Sequence, residues 1–107
     1  MSNVFEEIVG LDKLIHEPAR LSIMTILSTV ECADFLALQR LTGLTSGNLS
    51  VHLSKLVDGK LISYEKKIVG KKTKTEVKIT DQGQQALEKH WQQLENFRAN
   101  VLKSKPE

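Results

Sequence analysis

The sequence predicts an α+β fold, mainly α-helical, in which one β-hairpin precedes the last helix. Two observations predict it. Apolar residues recur at spacings of three and four in five segments, which is typical of amphipathic helices, and between residues 61 and 79 this period changes to the alternation typical of strands. The chain has 107 residues, 40% of them hydrophobic and 26% charged, so we expect one domain, residues 1–107, around a single core.

The first helix is predicted over residues 3–15, where an apolar stripe repeats at spacings of four, three and four. The stripe consists of Val4, Ile8, Leu11 and Ile15. Pro18 fits the first turn of a second helix, because the missing N–H of proline has no partner to lose there. The helical period of this second segment continues to about Val30.

A helix-turn-helix is predicted over residues 35–58. Its first helix, Phe35–Thr42, ends at Gly43, which supplies a left-handed stop. Thr45 is an N-cap candidate for the next helix, Ser46–Asp58, whose apolar residues fall on one face. These apolar residues are Leu49, Leu53, Leu56 and Val57.

A β-hairpin is predicted over residues 61–79, with a lysine-rich tip at residues 69–72. The residues that face each other are Ile62, Tyr64 and Ile68 on one strand and Val77 and Ile79 on the other. Thr80 can cap a last helix over residues 81–102, in which apolar residues again recur at spacings of three and four.

The order of these elements is that of a helix-turn-helix extended by a β wing. The predicted fold is therefore a winged helix-turn-helix with a two-stranded wing and flanking N- and C-terminal helices. The helix at 46–58 is the predicted recognition helix, because its outward face is small and polar and fits a major groove about 12 Å wide. The residues predicted to bind DNA here are Thr45, Ser46, Gly47, Asn48, Ser50, Val51, Ser54 and Lys55.

The N-terminus of this helix also suits a phosphate, since its free N–H groups carry a partial positive charge. Gly47 lets the backbone approach such a phosphate closely. In isolation Ser46, Gly47 and Asn48 would simply start a helix. Their place at the start of the second helix of a helix-turn-helix favours a role in DNA binding.

The positive charge is concentrated in the hairpin. Residues 60–78 contain seven lysines and two glutamates, a local charge of +5, whereas the whole chain carries only +2. The wing residues predicted to bind the DNA backbone are Lys66, Lys67, Lys71, Lys72 and Lys74. Taken alone, the segment is equally compatible with a solvated lysine-rich hairpin.

The first and last helices carry more apolar surface than a small core can cover, and a second copy of the chain is the simplest cover. The residues predicted to form a dimer interface are Val4, Phe5, Ile8, Trp91, Leu94, Phe97 and Val101. The alternative is that these two helices pack on one another within one chain.

Three segments resemble MarR/ArsR-type winged-helix regulators. They are Leu44-Thr45-Ser46-Gly47-Asn48-Leu49-Ser50-Val51-His52-Leu53-Ser54-Lys55-Leu56, then Gly59-Lys60-Leu61-Ile62, and Thr80-Asp81-Gln82-Gly83. The resemblance covers residues 11–102. It implies a dimer that places two recognition helices in successive major grooves, with the wings along the backbone or in the flanking minor grooves. Whether a small-molecule effector binds is left open, because the chain is shorter than the family members that bind aromatic acids.

Patterns for catalysis, cofactors or metals are not found, so no cofactor is expected: there is no glycine phosphate loop, nucleophile elbow or metal-ligand spacing. The lone Cys32 is expected to be a small buried hydrophobe, and His52 a partly buried, hydrogen-bonded residue. Apolar runs are far shorter than the roughly 20 residues that cross a bilayer. With no signal-peptide pattern, the protein is expected to be cytoplasmic.

The sequence thus predicts a transcriptional regulator, with repression as the expected mode, that binds double-stranded DNA sequence-specifically as a homodimer. The alternatives are a winged-helix module that binds protein or RNA, and an architectural protein that binds DNA without sequence preference.

Overall fold

The computed structural model describes residues 4–104 and, except at Val4, their side chains; these residues form five helices and a small antiparallel sheet. In chain order the elements are α1 (Val4–Val9), α2 (Pro18–Leu27), β1 (Ala33–Asp34), α3 (Phe35–Thr42), α4 (Ser46–Asp58), β2 (Ile62–Val69), β3 (Lys72–Ile79) and α5 (Asp81–Lys103). The predicted winged helix-turn-helix is confirmed.

Local caps explain why α3 and α4 begin and end where the sequence predicts. Asp34 Oδ1 accepts a hydrogen bond from the Ala37 amide at 2.7 Å and caps α3. Gly43 has a φ of 72°, a left-handed conformation that glycine adopts without strain, and it ends α3. Thr45 Oγ1 then accepts from the Asn48 amide at 3.1 Å and caps α4. Both predicted helices are confirmed with their bounds.

The sheet contains the predicted hairpin and one strand that was not predicted. β2 and β3 pair around the turn Gly70-Lys71, with Ile62 opposite Ile79. The predicted two-stranded wing is confirmed, and the additional strand β1 pairs with the other edge of β3 and places Ala33 opposite Val77. A strand of two residues is too short to show an alternating pattern. β1 connects the base of the wing to α3.

The core lies between the helices and the inner face of the sheet. Its buried side chains are Ile15, Ile23, Met24, Leu27, Leu38, Leu49, Leu53, Leu56, Leu61, Ile62, Val77 and Leu87. α5 starts directly over this core: a Cβ on Gly83 would collide with the carbonyl oxygen of Leu61. Thr80 holds the junction by accepting a hydrogen bond from the Gly83 amide at 2.9 Å and donating one to the Lys60 carbonyl at 2.8 Å.

The prediction of a helix over residues 3–15 is wrong in length, because α1 ends at Val9; residue 3 lies outside the described residues. Asp12 Oδ1 accepts a hydrogen bond from the Leu14 amide at 2.9 Å, and such side-chain bonds compete with helical ones. Two residues of the predicted stripe, Leu11 and Ile15, are buried nevertheless. The apolar spacing therefore indicated that Leu11 and Ile15 are buried, but it did not indicate a continuous helix.

Two other helix ends differ slightly from prediction. α2 ends at Leu27 and not near Val30, and beyond it the amides of Thr29 and Val30 bond to carbonyl oxygens three residues back, at 3.1 and 3.5 Å, instead of four. α5 ends at Lys103, one residue beyond its predicted end. The long α5 contributes to an elongated shape, with a longest dimension of 65 Å.

Candidate nucleic-acid interface

The outward face of α4 carries the residues predicted to bind DNA. All of them are exposed, whereas Leu49 and Leu56 on the opposite face are fully buried. The exposed residues are Thr45, Ser46, Gly47, Asn48, Ser50, Val51, Ser54 and Lys55. Val51, 53% exposed, adds an apolar group to a surface that is otherwise small and polar. No bulky side chain on this face would obstruct entry into a groove.

The N-terminus of α4 carries uncompensated positive partial charge. The first amides of a helix lack intrahelical partners, and the Thr45 cap satisfies only that of Asn48. The first turn of α4 contains no acidic residue to neutralise the helix dipole. An anion such as a DNA phosphate is therefore favoured at this end of the helix.

Strand alternation divides the wing lysines between two faces of the hairpin. Lys66 shares a face with Tyr64, on the side of the sheet that packs against α4. The opposite face carries Lys67, Lys72 and Lys74. Lys71 lies in the turn, and all five lysines are exposed.

Two of these lysines have intramolecular partners that the sequence analysis missed. Lys67 Nζ lies 3.1 Å from Glu76 Oε2, and Lys74 Nζ lies 3.5 Å from Asp34 Oδ2. The hydrogen bond with Glu76 raises the pKa of Lys67 above its usual value. Because these pairs are solvent-exposed, each adds little to stability. They do neutralise part of the positive charge of the wing.

Glu17 and Arg20 form a polar cluster with His52 that the sequence analysis also missed. Arg20 Nε donates to the Leu14 carbonyl at 2.6 Å, and Arg20 Nη1 lies 3.2 Å from His52 Nδ1. Glu17 Oε2 accepts from the Arg20 amide at 2.8 Å. Burial alone would raise the pKa of Glu17, but amide hydrogen bonds and the nearby His52 and Arg20 lower it overall. The predicted environment of His52, partly buried and hydrogen-bonded, is confirmed, and this cluster connects α4 to the start of α2.

The apolar residues predicted for a dimer interface lie on α1 and α5, which contact each other within the chain. Asn100 Nδ2 donates to Glu7 Oε1 at 2.6 Å across this contact. The intrachain packing considered as the alternative therefore occurs, but it leaves much apolar surface uncovered. Phe5, Trp91 and Val101 are exposed; Ile8, Leu94 and Phe97 are half-buried; the side chain of Val4 lies outside the described part of the chain. Exposed Val9 and Leu102 extend this surface.

Cys32 is exposed, so the expectation of a buried cysteine is wrong. It lies just before β1, at the edge of the sheet, where little covers it, and it lines a shallow outer depression with Lys67 and Glu76. Among residues 4–104, no group of three or more His, Cys, Asp or Glu side chains is arranged to hold a metal ion.

His90 on α5 is buried, with 1% of its surface exposed, and neither ring nitrogen has a hydrogen-bond partner among the described residues. Its ring centroid lies 5.2 Å from that of His16, in the turn before α2. Burial lowers the pKa of His90, and the nearby His16 lowers it further, against a smaller opposing effect of Asp12.

The chain is similar to known DNA-binding domains. A family model described as a winged helix DNA-binding domain matches residues 19–98. The chain is 28% identical over 89 residues to an uncharacterized protein of Methanocaldococcus jannaschii, and the match covers 83% of this chain and 97% of that protein.

Solved structures share the same fold. A protein of Pyrococcus horikoshii OT3, described as a transcriptional regulator homologue, superposes with a TM-score of 0.82 at 28% identity, over 92% of this chain and 96% of that one. A MarR-family transcriptional regulator of Silicibacter pomeroyi superposes with a TM-score of 0.65 at 16% identity, over 96% and 66% of the two chains. The resemblance to MarR-type regulators is thus confirmed in the fold. Within residues 4–104, no helix is both long enough and apolar enough to cross a membrane.

Proposed function

The chain belongs to the family of winged helix DNA-binding domains, and from this premise we propose that it is a transcriptional regulator that binds double-stranded DNA sequence-specifically as a homodimer. The family is one of binding domains and not of enzymes. The described role of the Pyrococcus protein, which is similar over nearly its whole length, supports the regulatory part of the proposal. In this proposal residues 1–107 act as one domain.

The observation that carries the proposal is the division of α4 into a buried apolar face and an exposed polar face. The buried leucines fix the helix on the core, so that its other face is presented in one orientation. Asn48, Ser50 and Ser54 on that face are exposed and offer hydrogen-bonding groups to base edges in a major groove. Val51 offers an apolar group, and the uncompensated N-terminus of α4 offers a site for the neighbouring phosphate.

The wing supplies affinity for the DNA backbone in this proposal. Lys66, Lys71 and Lys72 have no ion-pair partner among residues 4–104, so they bind phosphates without first losing one. Lys67 and Lys74 are bound to carboxylates and contribute less. The wing therefore has less positive charge available for binding phosphates than the number of its lysines indicates.

A second copy of the chain covers the exposed apolar residues of α1 and α5 in this proposal. Dimerisation through these helices would leave α4 and the wing of each copy free. The α4 helices of the two copies bind successive major grooves, one helical turn of DNA apart. A dimer that occupies two successive major grooves of a promoter prevents other proteins from binding there. For that reason we propose repression as its mode of action.

A selection from random-sequence duplexes tests this function. Protein is incubated with the pool, retained DNA is amplified and sequenced, and the enriched duplex is compared with a random duplex in a mobility-shift assay. We expect an enriched inverted repeat bound at least about a thousandfold more tightly than random duplex. Equal affinity for all duplexes would instead indicate an architectural protein, and retention of RNA alone would refute the proposal.

A further inference from the structure

A small cleft lies at the junction between α4 and the wing. Its volume is about 170 Å³. Four of its lining residues carry hydroxyl groups, and the other two, Phe35 and Leu53, are apolar. The four are Ser50, Ser54, Tyr64 and Thr75. None of the four hydroxyls has a hydrogen-bond partner within the described residues. Four hydroxyl-bearing residues thus line one cleft, and their hydroxyl groups are not bound to other described residues.

A lysine adds positive charge beside this cleft. Lys66 lies directly opposite Thr75 in the β2–β3 ladder, so the two side chains share a face of the wing, the face that turns toward α4. The Lys66 ammonium has no carboxylate partner among residues 4–104. Hydroxyl groups together with an ammonium are the donors that proteins use for DNA phosphates. The cleft contains no carboxylate that would repel one.

The expected path of DNA across the domain also passes the junction of α4 and the wing. If α4 occupies a major groove and the wing reaches the adjacent minor groove, the sugar-phosphate strand between those two grooves must cross the junction of α4 and the wing. The cleft lies at that junction. Each duplex strand carries one phosphate per nucleotide, so a phosphate is available there whatever the base sequence.

We propose that this cleft binds one backbone phosphate of the strand that separates the two grooves, with Tyr64 and Thr75 as hydroxyl donors and Lys66 as the charged partner. Neither Tyr64 nor Thr75 belongs to the DNA-binding residues predicted from the sequence. The site rests on the proposed function, since it requires duplex DNA on this face. It fixes the depth at which α4 enters the groove, and thereby the register of its base contacts.

Two variants that remove a single hydroxyl test this site. Tyr64→Phe and Thr75→Val are measured by fluorescence anisotropy on the duplex enriched in the selection described above, after circular dichroism has shown that both are folded. Each lost hydrogen bond to a charged phosphate is expected to weaken binding about tenfold. Because neither change removes a charge, the salt dependence of binding is expected to remain that of the wild type. Ser63→Ala, which removes an exposed hydroxyl on the opposite face of β2, is the matched control and is expected to bind like wild type.

A neutral phosphate analogue identifies the contact directly. Methylphosphonate linkages are introduced one at a time along the enriched duplex. At one linkage between the two grooves, wild-type protein is expected to lose affinity, and Tyr64→Phe is expected to lose less at that linkage than wild type does, because one of the interactions with this phosphate is already absent. Binding of both hydroxyl variants within twofold of wild type would overturn the site while leaving the proposed function intact. Wild-type protein that binds no duplex would overturn the proposed function and the site together.

Discussion

The DNA-binding lobe and the helical arm differ in what they bury. The lobe, formed by α2, α3, α4 and the sheet, contains most of the buried core, while the polar face of α4 and the lysines of the wing are exposed. Some apolar side chains of the lobe, such as Leu36 and Ile68, are exposed as well. In the arm, formed by α1 and α5, His90 is buried with no hydrogen-bond partner in residues 4–104, while Phe5, Trp91 and Leu102 are exposed. The lobe therefore has a core of its own within one chain, whereas we propose that a second copy of the chain covers the exposed apolar residues of the arm.

The largest expected effect is on the stability of the lobe. Leu49→Ala removes a fully buried side chain from α4 and is expected to lower the free energy of unfolding by about 2–5 kcal/mol. Ser50→Ala, on the exposed face of the same helix, is the control and is expected to change it by less than about 0.5 kcal/mol. Urea unfolding followed by circular dichroism measures both values. Similar losses in both variants would contradict the division of α4 into two faces.

A change to the arm tests whether a second copy covers it. Phe5→Glu places a charge on the exposed surface of α1 and is expected to convert the dimer to a monomer in sedimentation velocity, because burying an unpaired charge in an interface is costly. Leu36→Glu is a matched control, since Leu36 on α3 is 67% exposed and Phe5 is 68% exposed. The control is expected to remain dimeric. If Phe5→Glu also sediments as a dimer, the proposed interface is in the wrong place.

The monomeric variant also separates dimerisation from folding. Because the lobe has its own core, Phe5→Glu is expected to keep the helical circular dichroism of the wild type. Its affinity for the enriched duplex is expected to fall, since a monomer binds only one half-site. Loss of helical signal would show that the arm supports the lobe and would contradict the contrast drawn between them.

A smaller effect is expected from single lysines of the wing. Lys71→Ala is expected to reduce the slope of log affinity against log salt by about 0.9 for each protomer, since it removes a phosphate contact. Lys67→Ala is expected to change the slope less, because Lys67 is already paired with Glu76 at 3.1 Å. Binding titrations from low to physiological salt measure the slopes. Equal slopes for the two variants would show that the ion pair opens when DNA binds.

Short-range signals explain what could be predicted from the sequence. Gly43 and Thr45 act on their own neighbours, so the bounds of α3 and α4 could be predicted from local chemistry alone. The same is true of the hairpin, whose alternation is visible over many residues. The outward face of α4 followed from its leucine spacing, which is why its exposed residues were identified correctly.

Long-range contacts explain what the sequence analysis missed. β1 exists because it adds to an edge that β3 supplies more than 40 positions later in the chain. The pairs Lys67–Glu76 and Lys74–Asp34 depend on strand register and on β1, and a count of charges does not contain that information. Leu11 and Ile15 are buried although the backbone after α1 is not helical. The apolar stripe therefore suggested a helix longer than α1.

The smallest expected effect is a pH dependence that distinguishes the histidines of the two regions. Burial holds the pKa of His90 below its ordinary value, so as pH falls the unfolded chain takes up a proton at this residue before the folded chain does. The stability that the neutral His90 maintains is therefore fully present above about pH 6.5 and decreases as the pH falls below that value toward the lowered pKa of the folded state.

Urea midpoints of wild type and His90→Phe, measured between pH 8 and pH 5, test this assignment. The aromatic replacement keeps a ring in the buried position but cannot take up a proton, so its midpoint is expected to fall less steeply below pH 6.5. His52→Gln in the lobe is the control and is expected to retain the wild-type decrease, because it leaves His90 in place. If His90→Phe loses stability with falling pH as steeply as wild type does, the acid sensitivity originates outside the arm.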